Sequence, residues 1–222
     1  MLTGAPPGKA DPVRPLGAEV VFAGTTSAER QAEAVAISER TGAVILPPFD
    51  DKDVIVGQAT ATLELLEQTN GLDAVVVPVG GGGLLGACLV ARARGAGAQV
   101  VAVEPAAANA LQESLRRGER VRVSPGKTIA DGLKPVEVGA LNFAIAREHV
   151  ASAVTVEDDE IGRAAVRLLF SAKVLVEPSG AAALAAALER KIPGAPKRLG
   201  VLLSGGNLEP RVLVELIQRY AT

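Results

Sequence analysis

The chain has 222 residues, 48% of them apolar and 22% charged, which supplies a core and excludes a disordered polypeptide. With 23 Lys and Arg against 25 Asp and Glu, the formal net charge of −2 gives no global field for nucleic acid or an anionic membrane. Four Phe, one Tyr and no Trp offer no platform for stacking bases, and Cys88, the single cysteine, excludes an intrachain disulfide and a cysteine-built zinc site.

Taken in chain order, short β-branched runs alternate with longer Ala, Leu, Glu and Arg segments, the pattern of an α/β fold with a parallel sheet flanked by helices. The opening Met1 to Pro7 has neither a basic n-region nor an apolar h-region, so a soluble, cytoplasmic protein is expected. Gly17 to Ala23 reads as a strand. Thr26 to Glu29 has capping-box form and opens a helix to about Arg40, which Gly42 is placed to end. Ala43 to Leu46 reads as a second strand, and Pro47 to Asp51 breaks the pattern as a domain crossing. A helix from about Val54 to Gln68 stops near Asn70-Gly71.

The central unit follows: a strand from Ala74 to Val79, the run Gly80-Gly81-Gly82-Gly83, a helix from Leu84 to about Arg94, and a strand from Gln99 to Glu104. The uncharged stretch Ala74 to Ala91 contains Pro78 and five glycines, a cluster unsuited to a membrane helix. Next come a helix over Asn109 to Arg117, a Gly/Pro-punctuated loop through Gly132, and a helix over Leu141 to Glu148. A strand from Ala153 to Val156 leads into a helix from Asp158 to Lys173. Pro178-Ser179-Gly180 opens an Ala-rich helix, followed by a strand from Leu199 to Leu203, the turn Ser204 to Asn207, and a last helix reaching Tyr220.

Four consecutive glycines between a strand and a helix are costly in backbone entropy. The run makes sense where amides must turn toward an anion at a helix N-terminus, whereas an ordinary turn needs one or two glycines. Spacing leaves the anion open. Gly81-x-Gly83-x-x-Gly86 matches the dinucleotide fingerprint, and Glu104 lies where a ribose-binding acid belongs, so an NAD(P)-dependent oxidoreductase stands as one reading. Gly80 and Gly82 are surplus to that fingerprint and suit a cup for one terminal phosphate. Ser204 sits at the carboxyl end of a strand, where α/β proteins place ligand contacts. Taken singly, Ser204 reads equally well as a turn or cap residue, and Asp131 and Ser179 read better as caps.

Several stretches occur in one order along nearly the whole chain: Leu16 to Val21, Pro48 to Asp51 with Val54 to Gln58, Pro78 to Leu85, Val103 to Pro105, Ile129 to Gly132, Glu177 to Gly180, and Leu203 to Asn207. In this the sequence resembles the threonine/serine dehydratase and serine racemase family of pyridoxal-phosphate enzymes, with its fold-type II, tryptophan synthase β-like architecture. The resemblance implies that residues 1–48 are the C-terminal part of a small domain, and that residues 49–222 are the major part of the large, cofactor-binding domain. It implies pyridoxal 5'-phosphate as cofactor, its phosphate held by Gly80, Gly81, Gly82, Gly83 and the Leu84 amide, and its pyridine nitrogen met by Ser204. It implies conversion of a β-hydroxy amino acid to a 2-oxo acid and ammonia, with a small-molecule amino-acid substrate and a homodimer for the intact enzyme.

The family's Schiff-base lysine lies in a Ser-x-Lys-x-Arg-Gly stretch, followed by a substrate-cradling Ser-Gly-Asn-His stretch, and neither occurs in this sequence. Lys9, Lys52, Lys127, Lys134, Lys173, Lys191 and Lys197 lack that context and read mostly as solvated charges. No catalytic residue is therefore assigned, and the chain alone is expected to be inactive. A non-catalytic pseudoenzyme subunit is a further reading. Ala59 stands where the family has Gly, and Pro12 and Pro15 interrupt a helix before Gly17. Serine racemase-like members hold a divalent cation near the Glu-Pro step. Glu104 and the Ala108 carbonyl match that site, but Ala110 replaces its second carboxylate, so no metal is expected.

Overall fold

The computed structural model describes residues 1, 3, 10–95 and 97–221, so the position of Lys9 lies outside the described residues. The chain divides into two compact units, Met1–Pro47 with Asn207–Glu209, and Pro48–Gly206 with Pro210–Thr222.

The first unit is built on helix α1 (Ser27–Thr41). Thr26 accepts from the Glu29 amide while the Glu29 carboxylate accepts from the Thr26 amide, so the expected capping box forms. Gly42 closes the helix at φ 73°, donating to the Ser38 carbonyl. Ahead of it, Asp11–Leu16 is a 3-10 turn containing Pro15, with Gly17 left-handed at φ 83°. The two strands expected here, over 17–23 and 43–46, are not formed. A strand needs a ladder partner, and the first segment finds isolated bonds among the described residues: the Met1 amino terminus donates to the Val21 carbonyl, the Ala23 amide to the Met1 carbonyl, and the Thr3 amide to the adjoining Gly24 carbonyl. The second has only local side-chain bonds at Ala43, from the Ser38 hydroxyl and to the Thr41 hydroxyl, finds no ladder partner among the described residues, and leaves Val44 85% exposed.

The second unit holds a parallel sheet of four strands, β1 (Ala74–Pro78), β2 (Gln99–Pro105), β3 (Val150–Val156) and β4 (Leu199–Val201), in the order β3-β2-β1-β4. All five residues of β1 are buried, as a central strand covered on both faces requires, which is why its sequence is a continuous β-branched run. One face carries Val75, Val77, Val100 and Ala102 into a core with Leu85, Cys88, Leu111 and Phe143. That core is closed by α2 (Lys52–Gln68), α3 (Gly86–Ala93), α4 (Ala110–Arg117) and α5 (Ala140–His149). Asp51 caps α2 by accepting from the amides of Asp53 and Val54.

The opposite face is covered by α7 (Pro178–Leu188), which touches all four strands. Its run of buried alanines lets the helix axis lie close to the sheet. Helix α6 (Asp158–Arg167) packs on α7 and in turn carries α8 (Pro210–Tyr220). Helix α6 continues as a π-helical turn, Leu168–Ala172, before Lys173 ends it in the left-handed region. Where α8 meets α6, the Tyr220 ring lies on Gly162, whose missing Cβ would fall 2.2 Å from ring carbon Cε2. The Tyr220 hydroxyl donates to the Asp159 carboxylate at 2.7 Å.

The strand order fixes where a ligand belongs. From β1 the chain steps outward through β2 and β3, then returns to place β4 on the other side of β1. The reversal lies between β1 and β4, and in open parallel sheets the binding crevice opens at the carboxyl ends of the strands flanking such a reversal. The glycine run leaves β1 there, and Ser204 leaves β4 there.

Candidate active site

Past β1, Val79 still donates to the Val103 carbonyl, and then the backbone leaves the sheet. A Cβ at Gly80 would lie 3.1 Å from the Gly132 carbonyl oxygen. At Gly81 it would lie 2.2 Å from the Phe49 ring, and at Gly82, where φ is +97°, 2.7 Å from the Asn142 Cβ. Gly83 opens a 3-10 turn, Gly83–Leu85, with only ordinary contacts, the nearest at 3.7 Å. Protein packing thus enforces glycine at Gly81 and Gly82, crowds a side chain at Gly80, and leaves room for one at Gly83. Packing therefore accounts for glycine at two of the four positions.

The amides point to an anion. Among the described residues, the N–H groups of Gly80, Gly81, Gly82, Gly83 and Leu84 donate to no backbone or side-chain acceptor. Gly82 is buried, where an unpaired amide is costly. A row of donors with no acceptors of their own, at the mouth of a helix, is the chemistry that holds a phosphate dianion.

Three further segments close around the loop. Phe49, at the start of the second unit, lies against Gly81, and Asp50 accepts from the Leu141 amide at 2.7 Å, capping α5. Gly132 presses on Gly80 and donates to the Ser179 hydroxyl at 2.9 Å, so Ser179 ties this loop to the first turn of α7 and is not itself a helix cap. The loop is anchored upstream, where Thr128 and the Ile129 amide both donate to the Asp158 carboxylate. At the exit of β4, the Glu177 amide donates to the Gly205 carbonyl, and a Cβ at Gly180 would meet the Ser204 carbonyl oxygen at 2.9 Å. Ser204 is half-buried, and its hydroxyl has no partner among the described residues.

Glu104 does not face this crevice as a ribose acid would. Its side chain is 1% exposed and accepts from the amides of Leu111 and Gln112, both at 2.8 Å, so it caps α4 from a distance. Burial pushes its carboxyl up to about 7, against the two amides, which favour the ionised form. Gly86, the third glycine of the dinucleotide spacing, serves helix packing: a Cβ there would lie 2.5 Å from the Ile55 carbonyl and 3.0 Å from the Ala59 methyl. Ala59 is accommodated because a glycine faces it.

No hydrogen bond or ion pair joins a described lysine to the glycine loop. Lys191 bonds to Glu160 and the Thr155 carbonyl, Lys173 bonds to the Phe170 carbonyl, and Lys52, Lys127, Lys134 and Lys197 are exposed. A groove of about 540 Å³ lined by Arg163, Arg167, Phe170, Glu189 and Tyr220 contains none of the motif residues.

Sequence reasoning missed Asn142. It lies on the buried face of α5 with Phe143 and Ala146, and donates from Nδ2 to the Gly81 carbonyl at 2.8 Å. An amide side chain at a core position of an otherwise apolar helix face was the available signal.

The sequence profile described as pyridoxal-phosphate dependent enzyme matches residues 1–205. The chain is 39% identical to the L-threo-3-hydroxyaspartate ammonia-lyase of Saccharomyces cerevisiae, over 93% of this chain and 61% of that protein. It is 38% identical to the serine racemase of Schizosaccharomyces pombe, over 98% of this chain and 65% of that protein. The processed form of threonine deaminase isoform 2 from Solanum lycopersicum superposes with a TM-score of 0.89 at 34% identity, over all of this chain and 66% of that one. The chain therefore spans under two thirds of the length of these curated relatives. With a matching profile over most of its length and the parallel sheet of fold-type II, the chain belongs to the family of pyridoxal-phosphate dependent enzymes.

Proposed function

We propose that this chain is the cofactor-binding portion of an ammonia-lyase that converts a β-hydroxy amino acid of the threonine and serine type to a 2-oxo acid and ammonia. The observation that best supports this is the row of acceptor-free amides on the β1 exit, beside a neutral hydroxyl on the exit of the adjacent strand β4. Neighbouring strands lie about 4.8 Å apart, a span that one substituted pyridine ring bridges. Residues 1–48 we read as the tail of the small domain, and the rest as most of the large one.

The donor set fits the group. The amides of Gly80 to Leu84 would bind the phosphate of pyridoxal phosphate, and Ser204 would donate to the pyridine nitrogen. When bound, the cofactor supplies the electron sink for breaking bonds at the amino acid's Cα. A neutral hydroxyl at the ring nitrogen withdraws less charge than a carboxylate partner would arrange, which favours prompt loss of the β-hydroxyl over a long-lived carbanion. The atoms balance: the Cα proton and β-hydroxyl leave as water, and a water returns when the product hydrolyses to 2-oxo acid and ammonia. No helix among the described residues is long and apolar enough to cross a membrane.

Within these 222 residues no Ser-x-Lys-x-Arg-Gly stretch supplies the lysine that the family joins to its cofactor. The chain alone therefore binds cofactor without turning over substrate. The test is titration of the purified chain with pyridoxal phosphate and with inorganic phosphate, followed by assay with threonine and serine. The expected result is binding of both, no 2-oxo acid above the level of free cofactor, and a Ser204→Ala variant that weakens cofactor binding about tenfold while leaving phosphate binding unchanged. Enzyme-like formation of 2-oxo acid overturns the inactivity, and absence of both binding events overturns the site. The likeness to the fission-yeast serine racemase favours a second reading, racemisation of serine, which predicts D-serine as product once a lysine-bearing segment is supplied.

A further inference from the structure

We propose that Asn142 is a positioning residue for the glycine loop, turning the Gly81–Gly82 peptide so that the Gly82 amide points into the phosphate cup. The proposal rests on the phosphate-cup reading above and names the side chain that sets the cup's shape. A peptide unit is planar and trans, so its carbonyl and its N–H point in opposite directions. The Gly81 carbonyl accepts two bonds from the α5 side, from Asn142 Nδ2 at 2.8 Å and from the Gly139 amide at 3.1 Å. Fixing that oxygen toward α5 fixes the Gly82 N–H away from it. This is the buried amide with no acceptor among the described residues.

The rest of the arrangement serves the same end. Phe49 against Gly81 blocks the loop from sinking, and Asp50, strained at φ +62°, caps the first turn of α5 and so sets the position of the helix that carries Asn142. The Asn142 Oδ1 is buried and has no hydrogen-bond partner among the described residues, a cost that an aliphatic residue at this core position would avoid. The carboxamide gives α5 nothing that offsets this. What it supplies is the bond to Gly81.

The experiment compares the full chain with Asn142→Leu and Asn142→Asp by calorimetric titration with inorganic phosphate and with pyridoxal phosphate. Thermal unfolding and the backbone NMR resonances of Gly82 and Gly83 are followed in parallel. The leucine variant removes the donor at similar volume. It is expected to lose about tenfold in phosphate affinity while remaining folded, with the phosphate-induced shift of the Gly82 amide reduced. The aspartate variant, of the same shape, bonds to Gly81 only when its carboxyl is protonated. Its affinity relative to the parent chain should therefore recover as pH falls, and with it the phosphate-induced shift of the Gly82 amide, which relief of charge repulsion alone would not restore. Should the leucine variant fail to fold, the aspartate variant decides alone. Parent-like phosphate affinity in a folded leucine variant, or a pH-independent ratio for the aspartate variant, overturns the role of Asn142. Failure of the parent chain to bind either probe overturns the cup reading instead, and the two failures are thus distinguishable.

Discussion

Gly81 and Gly83 are two residues apart in one loop, yet the structure assigns them opposite tolerances. A methyl at Gly81 would enter the Phe49 ring, 2.2 Å from its carbons, whereas a methyl at Gly83 meets nothing closer than 3.7 Å. Gly81→Ala should destabilise the fold by about 2 kcal/mol and abolish phosphate binding, while Gly83→Ala, which keeps its amide, should retain both. Denaturant melts and phosphate titration of the two variants check this. Glu104 gives a second prediction. With its carboxyl raised from 4.5 to about 7 in the fold, the native state holds a proton that the unfolded chain has released between those values. Stability should therefore fall as pH rises from about 4.5 to about 7, by about 3 kcal/mol, and level off above. Glu104→Gln should flatten that slope, as read from urea unfolding at pH 5 and pH 7.5. A slope unchanged in the variant would assign the effect to other groups.

At the scale of elements, what the sequence made legible was what neighbours along the chain decide. The capping box at Thr26 and Glu29, the stop at Gly42, and the buried β-branched run of β1 all depend on local chemistry, and all stand where the sequence placed them. The segments 17–23 and 43–46 have equally good strand composition, but a strand exists only with a partner, and composition does not report the partner. The site divides the same way. The carboxyl-end positions of Gly80 to Gly83 and Ser204 follow from strand–loop–helix order, so they could be read directly. The reason for the glycines could not, because Phe49 and Asn142 reach the loop from 32 and 61 residues away, counted from Gly81. Glu104 was misplaced for a similar reason. Its spacing from the glycine run suited a ribose, but helix α4, which follows it, claims both carboxylate oxygens.

For the second unit taken whole, the two margins of its sheet are treated differently. On the outer side of β3, Gln112 donates to the Ala153 carbonyl and the Lys191 ammonium to that of Thr155, so side chains blunt that margin. On the other side, the Arg198 carbonyl and the Leu202 amide bond toward β1, which turns the backbone groups of Leu199, Val201 and Leu203 outward. They have no partner among the described residues. An unguarded margin invites another strand, and Leu203 beside it is 40% exposed. The chain should self-associate with rising concentration, and Leu203→Lys should reduce that association without lowering thermal stability, as measured by size-exclusion chromatography with light scattering. Any such experiment has a built-in optical control. The protein's single tyrosine, Tyr220, in a chain without tryptophan, lies where α8 meets α6, with its hydroxyl on Asp159 and its ionisation pushed up to about 12 by burial and that carboxylate. Tyrosine emission, excited where phenylalanine barely absorbs, therefore comes from one ring that stays neutral through the working pH range. A variant of the phosphate cup that loses its ligand while that emission stays constant has been damaged at the cup and nowhere near the ring.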